Sequence, residues 1–281
     1  MKIFIAGWKE LSLVDVLERV SFTLWLPFCN FRCPWCNNSS IARGKEKKLV
    51  EIDEIFDAVK RAAPFIDYFH VTGGEPTLQA RALKHLFKKV KNELGLPVSM
   101  DTNASVPEML EELINLIDHV AIDVKAPLNN SKLYSKVTGL DPLIGALMLN
   151  KVRKGLEIAS RAKFLELRTT MVPGFIEVKE IEQVARTIKK YLQGNGRRVY
   201  VVQQFIPYET IADPELRNRS RTPPELVKTA ARKAYEILET ETYYRTLEDG
   251  TVKVSQNKNL NSQAYNNNGR IASRQTRNGF G

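Results

Sequence analysis

The strict alternation of buried strands with amphipathic helices constrains the fold of this chain most strongly. Apolar runs rich in β-branched and aromatic residues predict strands at 20–26, 68–72, 98–102, 119–124, 164–170 and 198–205. Helical periodicity predicts helices at 50–63, 79–93, 108–117, 141–159, 178–192 and 223–238, and a hairpin at 243–254. Strands separated by such helices form a parallel sheet. Six strand–helix units are fewer than the eight strand–helix units of a closed TIM barrel. We therefore expect an α/β fold, a partial (β/α)6 TIM-like barrel.

Unusual residues follow every predicted strand. They are Cys29 after the first, Gly73, Gly74 and Glu75 after the second, Asp101, Thr102 and Asn103 after the third, Asp123 and Lys125 after the fourth, Arg168 on the fifth, and Gln203 on the sixth. In such barrels the active site lies at the carboxyl ends of the strands. The alternation therefore predicts one site at this edge of the sheet.

The chain has three cysteines, and all lie within eight residues in a C-x3-C-x2-C pattern, Cys29, Cys33 and Cys36. An odd and small number argues against a disulfide-stapled scaffold. Thiolates bind zinc or iron–sulfur clusters, and a structural zinc site needs a fourth ligand that no nearby Cys or His supplies. On a [4Fe–4S] cluster, three thiolates would leave one iron open. Buried thiols or a zinc site remain alternatives on these residues alone.

This pattern, with Trp35 before the last cysteine, resembles the signature of the radical S-adenosylmethionine (radical SAM) enzymes over roughly residues 15–210. The resemblance implies the radical SAM fold and a [4Fe–4S] cluster on Cys29, Cys33 and Cys36. It further implies that the open iron binds S-adenosylmethionine. One-electron cleavage then gives methionine and a 5′-deoxyadenosyl radical that abstracts hydrogen. We also expect Trp35 to be one of the residues that bind the cofactor.

Two further motifs carry the same resemblance. The run Gly73, Gly74, Glu75 and Pro76 resembles the superfamily's binder for the methionyl amino group, although paired glycines alone would also suit a plain turn.

The strand ends Asp101-Thr102-Asn103 and Asp123-Val124-Lys125 resemble the D-T-N and D-x-K motifs of glycyl-radical activating enzymes. The resemblance implies that they hold the ribose and carboxylate of S-adenosylmethionine, and it allows a monovalent cation there. A solvated salt-bridge cluster is the alternative. Arg168 resembles the basic residue facing the methionine carboxylate. Gln203 is expected to contact adenine, with packing as its alternative role.

The N-terminal region resembles the activating proteins of anaerobic ribonucleoside-triphosphate reductase. Matching positions are Ser12, Asp15, Asn30, Pro34 and Asn38. Four positions depart from the usual pattern: Leu17 and Glu18 replace Pro-Gly, Phe28 replaces Gly, and Asn37 replaces His.

The resemblance implies an enzyme, a radical SAM oxidoreductase that abstracts hydrogen from a glycine of a partner, most closely an anaerobic ribonucleotide reductase. It also implies a flavodoxin- or ferredoxin-type electron donor. A radical SAM enzyme of tRNA modification or deazapurine synthesis is the alternative, motivated by the net charge of +10 and the lysines of helix 79–93. We interpret that helix as a solvated face and do not expect nucleic acid as a partner. A non-catalytic Fe–S or zinc-binding protein is the third hypothesis.

Residues 1–255 are expected to form one radical SAM domain. Residues 256–281 are rich in Asn, Gln, Ser and Gly, carry no acidic residue, and are expected to be a disordered polar tail. No apolar run reaches the roughly 18 residues that span a bilayer, so we expect no membrane partner. The N-terminus lacks a signal peptide pattern, and we expect a cytoplasmic protein.

Overall fold

The computed structural model describes residues 1–255, and the predicted tail at 256–281 lies outside the described residues. The strands within this range are β1 (Lys2–Ile5), β2 (Gly7–Val16), β3 (Arg19–Leu26), β4 (Lys48–Glu51), β5 (Tyr68–Gly73), β6 (Val98–Thr102), β7 (His119–Asp123), β8 (Phe164–Met171), β9 (Arg197–Gln204), β10 (Glu241–Thr246) and β11 (Gly250–Lys253). The α-helices are α1 (Ser39–Ala42), α2 (Ile52–Ala62), α3 (Ala80–Lys89), α4 (Pro107–Leu113), α5 (Ser131–Thr138), α6 (Pro142–Ala159), α7 (Val178–Ile188), α8 (Pro214–Arg217) and α9 (Pro224–Leu238).

One sheet of nine strands organises the molecule, in the order β11-β10-β9-β8-β7-β6-β5-β3-β2. Neighbouring strands from β3 to β10 are parallel, whereas β2 and β11 run antiparallel at the two edges. The sheet is curled into a half-barrel, which confirms the predicted partial barrel. The hairpin at 243–254 is also present, but its first strand, β10, pairs with β9 and extends the parallel series beyond six strands.

The structure contains several strands and helices that the sequence did not predict. Strand β2 buries only Ser12 and Val16 and contains two register shifts, so it shows no regular alternation. Strands β1 and β4 form a separate two-stranded sheet. The short helix α5 begins where the Asn130 side chain accepts the Leu133 N–H, and it ends at Gly139 in the left-handed region. Local capping, rather than a long apolar stripe, defines this helix.

The main hydrophobic core lies between the convex face of the sheet and the helices. Phe22, Leu24 and Phe69 on β3 and β5 are fully buried and belong to the same cluster as Ile55 and Val59 of α2. Because side chains alternate along a strand, the residues between them face the barrel interior. The interior face is the one that carries the polar residues described below.

The two ends of the curled sheet meet at the amino ends of the parallel strands. Leu17, in the turn between β2 and β3, packs against Val199, Val201, Phe164 and Tyr243. Beside this apolar cluster is a polar group that we call the latch, consisting of Glu18, Arg197, Glu241 and Tyr243. In the latch, Arg197 Nη2 lies 2.9 Å from Glu18 Oε2, and the Tyr243 hydroxyl lies 3.0 Å from Glu18 Oε1. The half-barrel is therefore closed at its base.

Among residues 1–255, every helix is too short or too polar to cross a membrane.

Candidate functional site

The carboxyl ends of the parallel strands surround a cavity of about 380 Å³. All the predicted site residues except Glu75 line it: Cys29, Cys33, Trp35, Cys36, Gly73, Gly74, Asp101, Thr102, Asn103, Asp123, Lys125, Arg168 and Gln203. Residues far apart in the chain converge there because parallel strands all end at this edge.

The cysteine loop is fixed to the segment that follows it. The N–H groups of Phe28 and Cys29 donate to the carbonyls of Ile41 and Ala42, at 3.1 and 2.9 Å. Burial raises the pKa of the Cys29 thiol to about 11 and that of Cys33 to about 12. The thiols are therefore protonated at neutral pH until a metal displaces their protons.

The three cysteines border the cavity together. Within residues 1–255, no group of three His, Cys, Asp or Glu side chains has the geometry to hold a single ion. A [4Fe–4S] cluster is larger, and each thiolate binds a different iron. Three soft donors bordering a cavity fit such a cluster.

Asn103 joins the third strand end to the cysteine loop. Its Oδ1 accepts from the N–H and hydroxyl of Ser105, at 2.9 and 2.6 Å, which fixes the orientation of the amide. Its Nδ2 consequently donates to Asn30 Oδ1 at 2.9 Å and faces Cys29 Sγ at 3.8 Å. The Phe31 N–H also donates to this sulfur, at 3.4 Å. Cys29 is thus the thiol with a side-chain donor from another strand.

The paired glycines allow the end of β5 to pack under the cysteine loop. Gly73 has φ +112°, and a Cβ there would lie 2.5 Å from the Leu26 carbonyl oxygen. A Cβ on Gly74 would lie 1.9 Å from the Phe28 carbonyl oxygen. Glycine is therefore required at both positions by backbone packing. The same close approach leaves their backbone facing the cavity.

The position of Glu75 differs from the expectation. Its carboxylate is fully buried and does not line the cavity. It accepts the Asn103 N–H and the Thr102 hydroxyl, both at 2.7 Å, and the Thr77 N–H at 3.1 Å. Burial raises its pKa even though these donors favour the charged form. The Glu75 side chain therefore anchors the end of β6 from beneath the cavity wall.

Charged side chains form a partly buried cluster on the opposite wall of the cavity. Arg168 lies 3.0 Å from Asp101 through Nη2 and 2.8 Å from Asp123 through Nε, while Lys125 lies 2.9 Å from Asp123. Burial alone would raise the pKa of Asp123, but Arg168 and Lys125 outweigh it and hold that pKa well below its usual range. Arg168 is largely buried, whereas Asp101, Asp123 and Lys125 keep part of their surface open to the cavity.

A larger cavity of about 730 Å³ adjoins the first. The two share Trp35, Asn37, Thr170 and Gln203. Exposed apolar side chains border it from both ends of the sheet, Leu13 and Val14 on β2 and Leu247 after β10. Sequence reasoning missed these residues because only the curling of the sheet brings the two ends together.

The basic helix α3 directs several of its lysines to carboxylates. Lys84 lies 3.2 Å from Glu112, and Lys89 pairs with Asp53. The following turn pairs Lys91 with Asp118. These ion pairs support the interpretation of this helix as an ordinary solvated face.

Comparisons with known proteins agree with this geometry. Residues 24–188 match the family described as the Radical SAM superfamily. A Methanocaldococcus jannaschii protein named as a glycyl-radical enzyme activating enzyme is 35% identical over 210 residues, which cover 74% of this chain and 82% of that protein. The pyruvate formate-lyase-activating enzyme of Staphylococcus aureus is 28% identical over 61% of this chain and 69% of its own length.

Among solved structures, the FeFe-hydrogenase maturase HydG from Carboxydothermus hydrogenoformans superimposes with a TM-score of 0.57 at 17% identity. The match covers 80% of this chain and 53% of that one. At this identity the likeness shows a shared fold.

Proposed function

The chain belongs to the radical SAM superfamily and to its glycyl-radical activating enzymes, and from this premise we propose that it removes a hydrogen atom from a glycine of an anaerobic ribonucleotide reductase. The observation that carries the proposal is the single cavity where the cysteine loop meets the Asp101 and Asp123 strand ends. When bound, the [4Fe–4S] cluster and S-adenosylmethionine of this superfamily supply a 5′-deoxyadenosyl radical by one-electron cleavage of a carbon–sulfur bond.

We assign Cys29, Cys33 and Cys36 as the cluster ligands, one thiolate to each of three irons. The Asn103 amide, oriented by Ser105, directs an N–H toward the Cys29 sulfur. Hydrogen bonds to cluster sulfurs stabilise the reduced, more negative state. Asn103 would thereby assist the electron transfer from a flavodoxin- or ferredoxin-type donor.

We assign the binding of S-adenosylmethionine to the remaining wall of the cavity. The Gly73 and Gly74 backbone approaches the ligand from below the cysteine loop, and Lys125 supplies a buried positive charge for its carboxylate. Trp35 and Gln203 line both cavities and border the passage between them. The adenosine of S-adenosylmethionine would lie in this passage. Arg168 already pairs with Asp101 and Asp123, so a monovalent cation at these carboxylates would compete with the guanidinium.

The larger cavity gives the partner's glycine segment a place next to the radical. Its volume suits several residues of extended polypeptide, and its apolar border at Leu13, Val14 and Leu247 would exclude water from a reactive intermediate. The named relatives support a glycyl-radical protein as substrate. The N-terminal resemblance favours the anaerobic reductase as the partner. We further propose that the protein is cytoplasmic and that residues 1–255 act as one domain.

Electron paramagnetic resonance tests this proposal. The cluster-loaded protein is incubated without oxygen with S-adenosylmethionine, a one-electron reductant and the anaerobic reductase, and a glycyl doublet is expected. The Cys33→Ala variant serves as the control and should give no doublet. Formation of 5′-deoxyadenosine without a doublet on the reductase would show that the partner is wrong.

A further inference from the structure

A row of four polar side chains crosses the barrel interior below the cavity. His70, Ser99, His119 and Glu166 lie on β5, β6, β7 and β8, and none has measurable exposure. His70 is in register with Ser99, and Ser99 with His119. A buried row of ionisable groups is costly unless its members satisfy one another. The chemistry assigned to the cavity above uses none of these four residues.

The hydrogen bonds of the row determine where its protons lie. The Ser99 hydroxyl is 2.8 Å from Nδ1 of both His70 and His119. Because a hydroxyl carries one proton, it donates to one ring and accepts from the other. His119 Nε2 lies 3.4 Å from the Glu166 carboxylate, which favours a proton on that nitrogen. Ser99 therefore donates to His119, and His70 donates to Ser99 through its Nδ1–H.

Each end of the row reaches a residue of the cavity wall. At one end, His70 Nε2 is 3.8 Å from Asp101 Oδ2. At the other, Glu166 Oε1 is 4.0 Å from Arg168 Nη1 and 3.9 Å from Arg245 Nη2. Within residues 1–255, neither oxygen of the Glu166 carboxylate accepts a hydrogen bond. The row thus lies directly beneath Asp101 and Arg168. With its proton on Nδ1, His70 presents an unprotonated Nε2 to Asp101, so this contact is not a hydrogen bond.

Glu166 competes with the two aspartates for Arg168. Its distance of 4.0 Å is beyond a hydrogen bond, whereas Asp101 and Asp123 lie within 3.0 Å of the same guanidinium. Burial would raise the pKa of Glu166, but His119 and Arg168 outweigh it and lower the pKa to about 2, so the carboxylate stays charged. A proton on His119 Nε2 gives this charge a second partner, which leaves Arg168 to the aspartates above.

We propose that the row Glu166–His119–Ser99–His70 positions Arg168, and through it Asp101, for ligand binding, with Ser99 as the central positioning residue. The inference rests on the proposed function, because it takes S-adenosylmethionine as the ligand of the cavity. Without the Ser99 hydroxyl, the His119 ring loses the hydrogen bond at Nδ1 that holds its Nε2 toward Glu166. Glu166 would then draw Arg168 downward, away from Asp101 and Asp123, and distort the wall.

Binding calorimetry with S-adenosylmethionine on the cluster-loaded protein tests the proposal. Ser99→Ala should raise the dissociation constant about tenfold, the usual effect of losing a hydrogen bond that supports a charged group. Ser21→Ala is the matched control, since Ser21 is also fully buried on the interior face and, among the described residues, its hydroxyl bonds Thr23 alone, at 3.1 Å. Ser99→Thr keeps the hydroxyl and should restore binding.

The outcomes separate this inference from the proposed function. Equal losses of thermal stability in the two alanine variants, with weaker binding only in Ser99→Ala, would support positioning. Wild-type affinity in Ser99→Ala would overturn it. Wild-type protein that fails to bind S-adenosylmethionine would instead overturn the proposed function and the inference with it.

A second measurement does not depend on the folding of a variant. The chain has only three histidines, so ¹⁵N NMR of histidine-labelled protein free of cluster can assign each ring. His119 should carry its proton on Nε2 and accept at Nδ1, while His70 should carry a proton on Nδ1. Two buried rings with the same neutral tautomer would contradict the row.

Discussion

At the scale of single residues, two departures from the family pattern have a physical explanation. Glu18 and Phe28 replace the usual glycines and have left-handed backbones, with φ +60° and +73°. Such a conformation costs a non-glycine residue about 1–2 kcal/mol. Glu18 gains the latch contacts with Arg197 and Tyr243. The Phe28 ring packs edge-on against Phe4, with ring centroids 5.7 Å apart.

Substitution of Glu18 separates the strain of its backbone from its contacts. Both Glu18→Gly and Glu18→Ala remove the latch contacts, but only glycine relieves the left-handed backbone. The alanine variant should therefore be less stable than the glycine variant by about 1 kcal/mol. Urea denaturation of both variants measures this difference. An alanine variant as stable as the glycine variant would show that the turn relaxes to another conformation.

Asn103 offers a test of the hydrogen bond to the Cys29 sulfur. Asn103→Ala removes the Nδ2 donor 3.8 Å from this sulfur, so the reduction potential of the bound cluster should become more negative. Asn37→Ala is the matched control. Asn37 also lines the cavity beside Cys36, but among the described residues its side chain donates no hydrogen bond to a cysteine sulfur. Potentiometric titration of the loaded proteins supplies the readout. Equal potentials for both variants would contradict a role for the amide.

At the scale of elements, strands buried on both faces were predictable and edge elements were not. Strands β3 and β5 to β9 are buried on both faces because helices cover one face and the barrel interior the other, and apolar residues mark the helix-covered face of each. Strand β2 exposes most of its side chains, so no period-two pattern marks it. The motif residues at strand ends were predictable for the same reason, since a parallel sheet gathers them. The burial of Glu75 was not, because its partners Thr102 and Asn103 follow a different strand.

The latch predicts how stability depends on pH. Glu241 accepts from Arg197 and Tyr243, at 3.1 and 2.8 Å, and from Lys253 at 2.8 Å. Burial would raise its pKa, but these partners lower it to about 2. A carboxyl whose folded pKa is depressed contributes stability above its ordinary pKa, and this is lost as pH falls through the folded value.

Acid denaturation of Glu241→Gln therefore checks the latch. The difference in unfolding free energy between wild type and Glu241→Gln should be greatest above pH 5 and should shrink between about pH 5 and pH 2. Glu209→Gln, at an exposed carboxylate with no ion pair among the described residues, should show no such trend. A difference independent of pH would mean that Glu241 contributes by packing alone.

At the scale of the whole molecule, the curled sheet places two cavities side by side and closes the base beneath them. The smaller cavity collects the cysteine loop and the charged strand ends, and the larger one opens between the two ends of the sheet. The sequence motifs predict the residues of the first cavity. They do not predict the second cavity, because Leu13 and Leu247 come to border the same space only through the curvature of the whole sheet.

Transfer of deuterium from the partner's glycine tests the central claim most directly. The anaerobic reductase is labelled with dideuterated glycine and incubated with the loaded protein, S-adenosylmethionine and reductant. Mass spectrometry then measures the 5′-deoxyadenosine formed. We expect 5′-deoxyadenosine one mass unit heavier, because it carries a single deuterium from the glycine. Unlabelled 5′-deoxyadenosine, formed in the same amount with or without the reductase, would contradict it.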